Sequence, residues 1–248
     1  MRIYIVRHAD PDYPNNTITA FGHKEAEALA TRMATLELDR LYSSPLGRAR
    51  DTAGYTARVL GMEPEIEPWT TELDWSTGGQ GSAGSQAVWD YPGEVFRGGT
   101  NYPSYENWHQ TPPVHEDQLA ERFARLVKAS DEFLMRLGYA REGRRYRCIA
   151  PTDDRIAMFC HGGFGLTWLA HLLEIPVQTM WSGFWLPPSS VTMVLMEQQS
   201  SDWAVPRCVG MGDTSHLYAA GLPIQPRGIY AHNWERAPGS QRSYPSDE

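Results

Sequence analysis

Cysteine is scarce, with three residues in a chain of 248: Cys148, Cys160 and Cys208. The number is odd and the spacing fits no zinc or redox motif. They read as free thiols in a reducing compartment. No apolar run approaches the length that spans a bilayer, and the chain starts directly on a strand-like run with no basic-then-apolar leader. A soluble, cytoplasmic protein without a membrane partner is expected. Positive charge is in the minority, 22 Lys and Arg against 30 Asp and Glu, and it forms no long basic run. That argues against nucleic-acid binding. It also sets a constraint. The net charge of −8 repels anions, so an anionic substrate must meet cations gathered locally. No metal-ligand spacing such as HExxH and no internal repeat occurs, so neither a metal nor another cofactor is expected.

What is present is enough for a large core. At 41% hydrophobic content and this length, one domain over residues 1–248 is the simplest count. Ile3–Val6 reads as a buried strand. Thr19 suits an N-cap, and Ala20 to about Leu36 repeats apolar residues at helical spacing. Leu41–Tyr42 closes a second short strand. "SSPLGRARDTAGYTARVLG" reads as a turn and helix, with Pro45 in the first turn and Gly61 as the stop. Glu65–Glu67 is a candidate third strand, and Glu116–Leu137 an amphipathic helix. "RRYRCIA" and "RIAMFC", joined by "PTDD", read as a hairpin. "HGGFGLTWLAHLLEI" is a Gly-rich turn and helix. Ser190–Met196 and Trp203–Val209 are further strands. This alternation predicts a three-layer α/β/α fold with a mixed, mostly parallel sheet.

Two segments break the pattern. Between Trp75 and Val114 no period holds, and Gly, Pro, Ser, Trp and Tyr dominate. A loop this long and aromatic is expected to form part of a pocket wall. Residues 228–248 read as a surface tail.

Ligands of α/β sheets bind beyond the carboxyl ends of the strands. Three junctions place cationic or imidazole groups there: Arg7–His8 after the first strand, Arg48 just inside a helix, and His161 before "GGFG". Two arginines, two histidines and helix N-termini at one crevice would hold a phosphate dianion. Structural ion pairs and a backbone-bonded loop histidine are the bland readings of the same residues.

"RHAD", "YSSPLGRARDTA", "FCHGGFG" and "GDTSHL" occur in that order between residue 2 and about residue 217. Together they resemble the histidine phosphatase superfamily, also called phosphoglycerate mutase-like. The resemblance implies a fold of that type and a phosphohydrolase acting on a small phosphorylated metabolite through a phosphohistidine. His8 would be the nucleophile. Arg7, Arg48 and His161 would bind the phosphoryl oxygens. Glu72 in "TTELDW" would be the proton donor, with Asp74 the other candidate, and His216 would lie near the substrate. A phosphoglycerate mutase is the nearest rival, but the Trp-Asn pair and following Gly-Trp of such mutases are missing. A non-catalytic phosphate-binding signalling module is the rival of another class. His23, His109, His115, His171 and His232 read as ordinary residues. Tyr13, Arg97 and the aromatic segment are expected to select the substrate. The pattern spells out neither that substrate nor an oligomeric state.

Overall fold

The first strand, β1 (Arg2–Arg7), is buried from Ile3 onward, and successive side chains enter different cores. Ile3 and Ile5 join one cluster with Met158, Phe164 and Trp168. Tyr4 and Val6 join another with Leu29, Ala53 and Phe159. A strand apolar at every position needs cover on both faces, and this one has it. The computed structural model describes residues 1–77, 86–100, 102–110, 117–231 and 233–234.

The remaining strands of the main sheet are β2 (Arg40–Ser43), β3 (Glu65–Ile66), β4 (Tyr139–Glu142), β5 (Arg145–Cys148), β6 (Arg155–Cys160), β7 (Val191–Gln198) and β8 (Trp203–Asp213). Their order is β3-β2-β6-β1-β7-β8-β5-β4. The pairings from β3 to β1 are parallel, and those from β1 to β4 are antiparallel. The sheet is mixed, as expected, but not mostly parallel: three of its seven pairings are parallel and four antiparallel, because the later strands return by tight turns, and the parallel ones lie in the half that carries the site. Helices α1 (Ala20–Met33) and α2 (Gly47–Leu60) cover one face. Beyond α3 (Gly93–Arg97), helices α4 (Asp117–Arg136) and α5 (Gly162–Leu173) cover the other. The chain continues through α6 (Val177–Gly183) and α7 (Ser215–Ala219). This is the three-layer α/β arrangement.

The local signals hold at several ends. The Thr19 side chain accepts from Gly22 N and caps α1. Gly61 ends α2 at φ +64°, where a Cβ would be strained. Pro45 lies before α2, not in its first turn, because the helix starts at Gly47. The expected start of α4 at Glu116 lies outside the described residues, as do His115, His232, residues 78–85 and the tail beyond residue 234.

The predicted hairpin is wrong. β5 pairs with β4 through a turn at Gly143 (φ +63°), and with β8. β6 instead lies between β2 and β1. The reason is legible afterwards. "RIAMFC" is apolar throughout and belongs where both faces are covered. "RYRC" alternates, which suits a strand near the edge. "PTDD" is therefore part of a crossover.

The irregular segment is partly core. Trp75 and Trp108 are buried, with rings stacked 6.5 Å apart. Tyr105 donates from its hydroxyl or accepts at His171 Nδ1 over 2.9 Å, and His171 Nε2 meets Asp131 at 3.0 Å. His171, read as ordinary, is fully buried and ties this segment to α4 and α5.

Candidate active site

Strands β1 and β6 are parallel neighbours with Arg7 opposite Cys160. Each hands over to a histidine one residue later, so the sheet register alone brings His8 and His161 together. His8 N donates to Cys160 O at 2.9 Å, and the two ring centroids are 5.2 Å apart. His8 Nδ1 lies 2.8 Å from Ala9 O. A nitrogen facing a carbonyl oxygen must carry the proton, so Nε2 keeps the lone pair. Nε2 has no protein hydrogen-bond partner among the described residues. At the end of β2, Ser44 N donates to Phe159 O, and Ser44 Oγ meets His161 Nε2 at 2.7 Å.

Burial holds both imidazoles well below the usual histidine range. Arg7 and Arg48 add to this at His8, and His8, Arg48 and Arg7 add to it at His161. Both rings are therefore neutral near pH 7.

The arginines are held differently. Arg7 Nη1 donates to Leu186 O at 2.6 Å and Arg227 O at 2.9 Å. Arg48 Nη1 donates to Asn16 Oδ1 at 3.3 Å, and its guanidinium lies 5.4 Å from the Tyr13 ring centre. Each arginine buries an Nε that no protein atom accepts from. Buried donors of this kind match an oxyanion. The backbone is packed to fit: a Cβ on Gly162 would come 3.3 Å from the Arg7 guanidinium, and one on Gly47 only 2.0 Å from Asn16 O.

Glu72 reaches the N-terminus of α5. Its Oε1 accepts from Phe164 N at 2.8 Å and Leu73 N at 3.1 Å, and its Oε2 from Gly163 N at 3.3 Å. Burial raises its pKa, against the Phe164 and Leu73 N–H groups and both arginines. Asp74, the other candidate acid, is turned outward with its side chain 64% exposed, 3.7 Å from Arg122.

A cavity of about 340 Å³ opens beside these residues; Gly162 and Gly163 are part of its lining, whereas His8, Arg48 and His161 are not. Arg7, Glu72 and Tyr13 line it, as do Trp89 and Asp90 from the irregular segment and Tyr230 from the region expected to be a plain surface tail. Burial pushes the Asp90 carboxyl up to about 6. Sequence reading missed Asp90, Tyr230, Ser44 and Asn16. "VWDY" offered only its aromatic density, Ser44 lies within "YSSPLGRARDTA" but was given no role, and Asn16 and Tyr230 sit in no motif. Two expected residues lie elsewhere. His216 does not line the cavity. Its Nε2 meets Ser189 Oγ at 3.0 Å, and Ser189 N donates to His8 O, which places it behind the end of β1. Arg97 faces a neighbouring cavity beside Ser182. Among the described residues no group of three His, Cys, Asp or Glu side chains is placed to hold a metal ion, and no helix is long and apolar enough to cross a membrane.

The model of the histidine phosphatase superfamily (branch 1) matches residues 3–208. The chain belongs to this superfamily. Among curated relatives it is 30% identical over 83 residues to the probable phosphoglycerate mutase GpmB of Escherichia fergusonii, covering 30% of this chain and 39% of that one. It thus spans well under half of that relative. It is 25% identical over 211 residues to phosphoserine phosphatase 1 of Hydrogenobacter thermophilus, covering 80% and 88%. The fold is similar to that of Entamoeba histolytica phosphoserine phosphatase in complex with 3-phosphoglyceric acid, with a TM-score of 0.59, 18% identity and coverage of 87% and 98%. It is also similar to the mycobacterial glucosyl-3-phosphoglycerate phosphatase bound to VO3, with a TM-score of 0.55, 19% identity and coverage of 85% and 98%. At these identities the likeness concerns the fold.

Proposed function

We propose that this superfamily member hydrolyses phosphate monoesters of small molecules through a phosphohistidine on His8. The observation that carries the reading is the fixed, neutral His8 imidazole, with Nδ1 on Ala9 O and Nε2 left for attack beside two buried arginines.

The steps balance. The Nε2 lone pair forms a bond to phosphorus while the ester P–O bond breaks, and its electron pair stays on the alcohol oxygen. That oxygen takes the proton from Glu72. Arg7, Arg48 and His161 hold the three remaining oxygens; the two arginines offset the charge on them in the transition state, and the neutral His161 ring donates a hydrogen bond. Glu72, now a carboxylate, then removes a proton from water. The water oxygen attacks phosphorus, the P–N bond breaks, and His8 is restored. Similarity over 80% of this chain to a phosphatase relative supports hydrolysis, and the mutase relative matches over a shorter stretch.

The test is the fate of the phosphoryl group. Purified protein should release inorganic phosphate from nitrophenyl phosphate, and His8→Ala should release none; 3-phosphoglycerate is the probe for mutase activity. Rapid interconversion of phosphoglycerates with little free phosphate would instead make it a mutase. Binding of phosphate esters with neither outcome would make it a non-catalytic module.

A further inference from the structure

The cavity divides its chemistry unevenly. At the floor are Arg7 and Glu72; the upper wall is aromatic, with Trp89, Trp181, Phe184, Trp185 and Tyr230. One carboxylate, Asp90, interrupts that wall. Among the described lining residues Arg7 is the single cation, and its Nη1 already serves two carbonyls. Arg227, close by in sequence to Gly228 and Tyr230 of the wall, is committed to Asp10, with Nε to Oδ1 at 2.7 Å.

Asp90 is also held in place. Tyr230 is hydrogen-bonded to it. Its neighbour Trp89 lies so tightly on the start of α5 that a Cβ on Gly163 would fall 2.5 Å from the indole. The carboxylate therefore has a set position relative to the helix that also receives Glu72.

An alcohol leaving beside Arg7 and Glu72 would face this wall, because both line the same cavity as the rings. Aromatic faces with one carboxylate attract an ammonium group and place its alkyl substituents against apolar surface. Among the described residues this upper wall sets no cation against a substrate carboxylate, and Asp90 would repel it. The rings alone favour a cation modestly, and Asp90 adds the formal charge that sharpens the selection. We propose that the substrate is the phosphate monoester of a small amino alcohol, its ammonium or alkylammonium group held by Asp90 and the surrounding rings, and not a phosphorylated hydroxy acid. The proposal deepens the hydrolase reading and rests on it.

Three esters test it: phosphocholine, its uncharged carbon analogue 3,3-dimethylbutyl phosphate, and 3-phosphoglycerate. Nitrophenyl phosphate reports on the hydrolase reading separately. In the native protein kcat/KM should fall from the cationic to the neutral ester by about tenfold or more, as a desolvated cation–aromatic contact implies. It should fall further to the anionic ester. Asp90→Asn should lower the cationic-to-neutral ratio several-fold, leaving the smaller preference of the rings. The ratio is taken within each variant, so a general loss of activity cancels. Preference for 3-phosphoglycerate, equal rates for the first two esters, or a ratio that survives Asp90→Asn undiminished would overturn the proposal. If nitrophenyl phosphate is turned over without any cation preference, this proposal alone falls. If nitrophenyl phosphate is not turned over at all, the hydrolase reading falls and takes the proposal with it.

Discussion

At Glu72 burial raises the proton affinity while the Phe164 and Leu73 N–H groups and two arginines oppose it. A donor poised in this way matters only when the leaving group needs a proton. In single-turnover phosphorylation, Glu72→Gln should slow an alkyl ester by about 10²–10⁴-fold and the nitrophenyl ester much less. Equal slowing of both would remove Glu72 from that role. A second buried carboxyl lies under the site. Glu25 is fully buried, its Oε2 accepts from Asp10 N at 2.6 Å, and its Oε1 has no partner. Burial above all raises its pKa from 4.5 to about 7. The folded state therefore binds the proton more tightly than the unfolded one, and stability is lost as pH rises through that window. Glu25→Gln does not ionise. Its stability relative to the native protein should rise by about 3 kcal/mol between pH 4.5 and 8, measured by denaturant titration at each pH. A pH-independent difference would contradict the shift. Of these residues, the sequence pointed to Glu72 only through family resemblance. Glu25 looked like any helix charge, because its burial comes from the Asp10 loop folding over α1.

Among the elements, α5 is the hub. Its N-terminus meets Glu72, its second glycine carries the Trp89 ring, and its far end holds His171 against Tyr105 and Asp131. Gly163→Ala should displace Trp89, since a Cβ 2.5 Å from a ring forces something to move. The expected result is a raised KM with a lower Tm. In a Trp89→Ala background the same change should cost little, and the double-mutant cycle measures the difference. Additive losses would show that the ring is not what limits residue 163. Trp108→Ala, in contrast, empties a fully buried site and should cost about 3–5 kcal/mol. Element types were legible wherever period and caps agreed, as in α1, α2 and β1. Pairing was not, and β5 and β6 show why. A tight polar link fits a hairpin, yet the burial each strand needs sends them to separated positions in the sheet.

On the scale of the whole molecule, the site joins both ends of the described chain. Arg7 from β1 donates to Arg227 O, Arg227 reaches Asp10, and Trp234 packs on Trp185 with ring centres 5.0 Å apart. This closure was invisible in the sequence, where residues after 227 looked like surplus. Ending the chain after Gln225 should therefore lower kcat by roughly ten- to a hundredfold by loosening Arg7, while Arg227→Ala, which keeps the carbonyl, should lose less. Equal kcat in all three proteins would show that the closure does not position Arg7. The crevice itself was legible, because strand ends, Gly-rich turns and cations coincide there for one electrostatic reason.

The central claim is that the phosphoryl group passes through His8. Protein mixed with a ³²P-labelled phosphate ester and quenched within the first turnover should carry label that is lost in acid and kept in base, as a P–N bond requires, with none on His8→Ala. Label that survives acid, or a His8→Ala variant that is labelled and turns over normally, would contradict it.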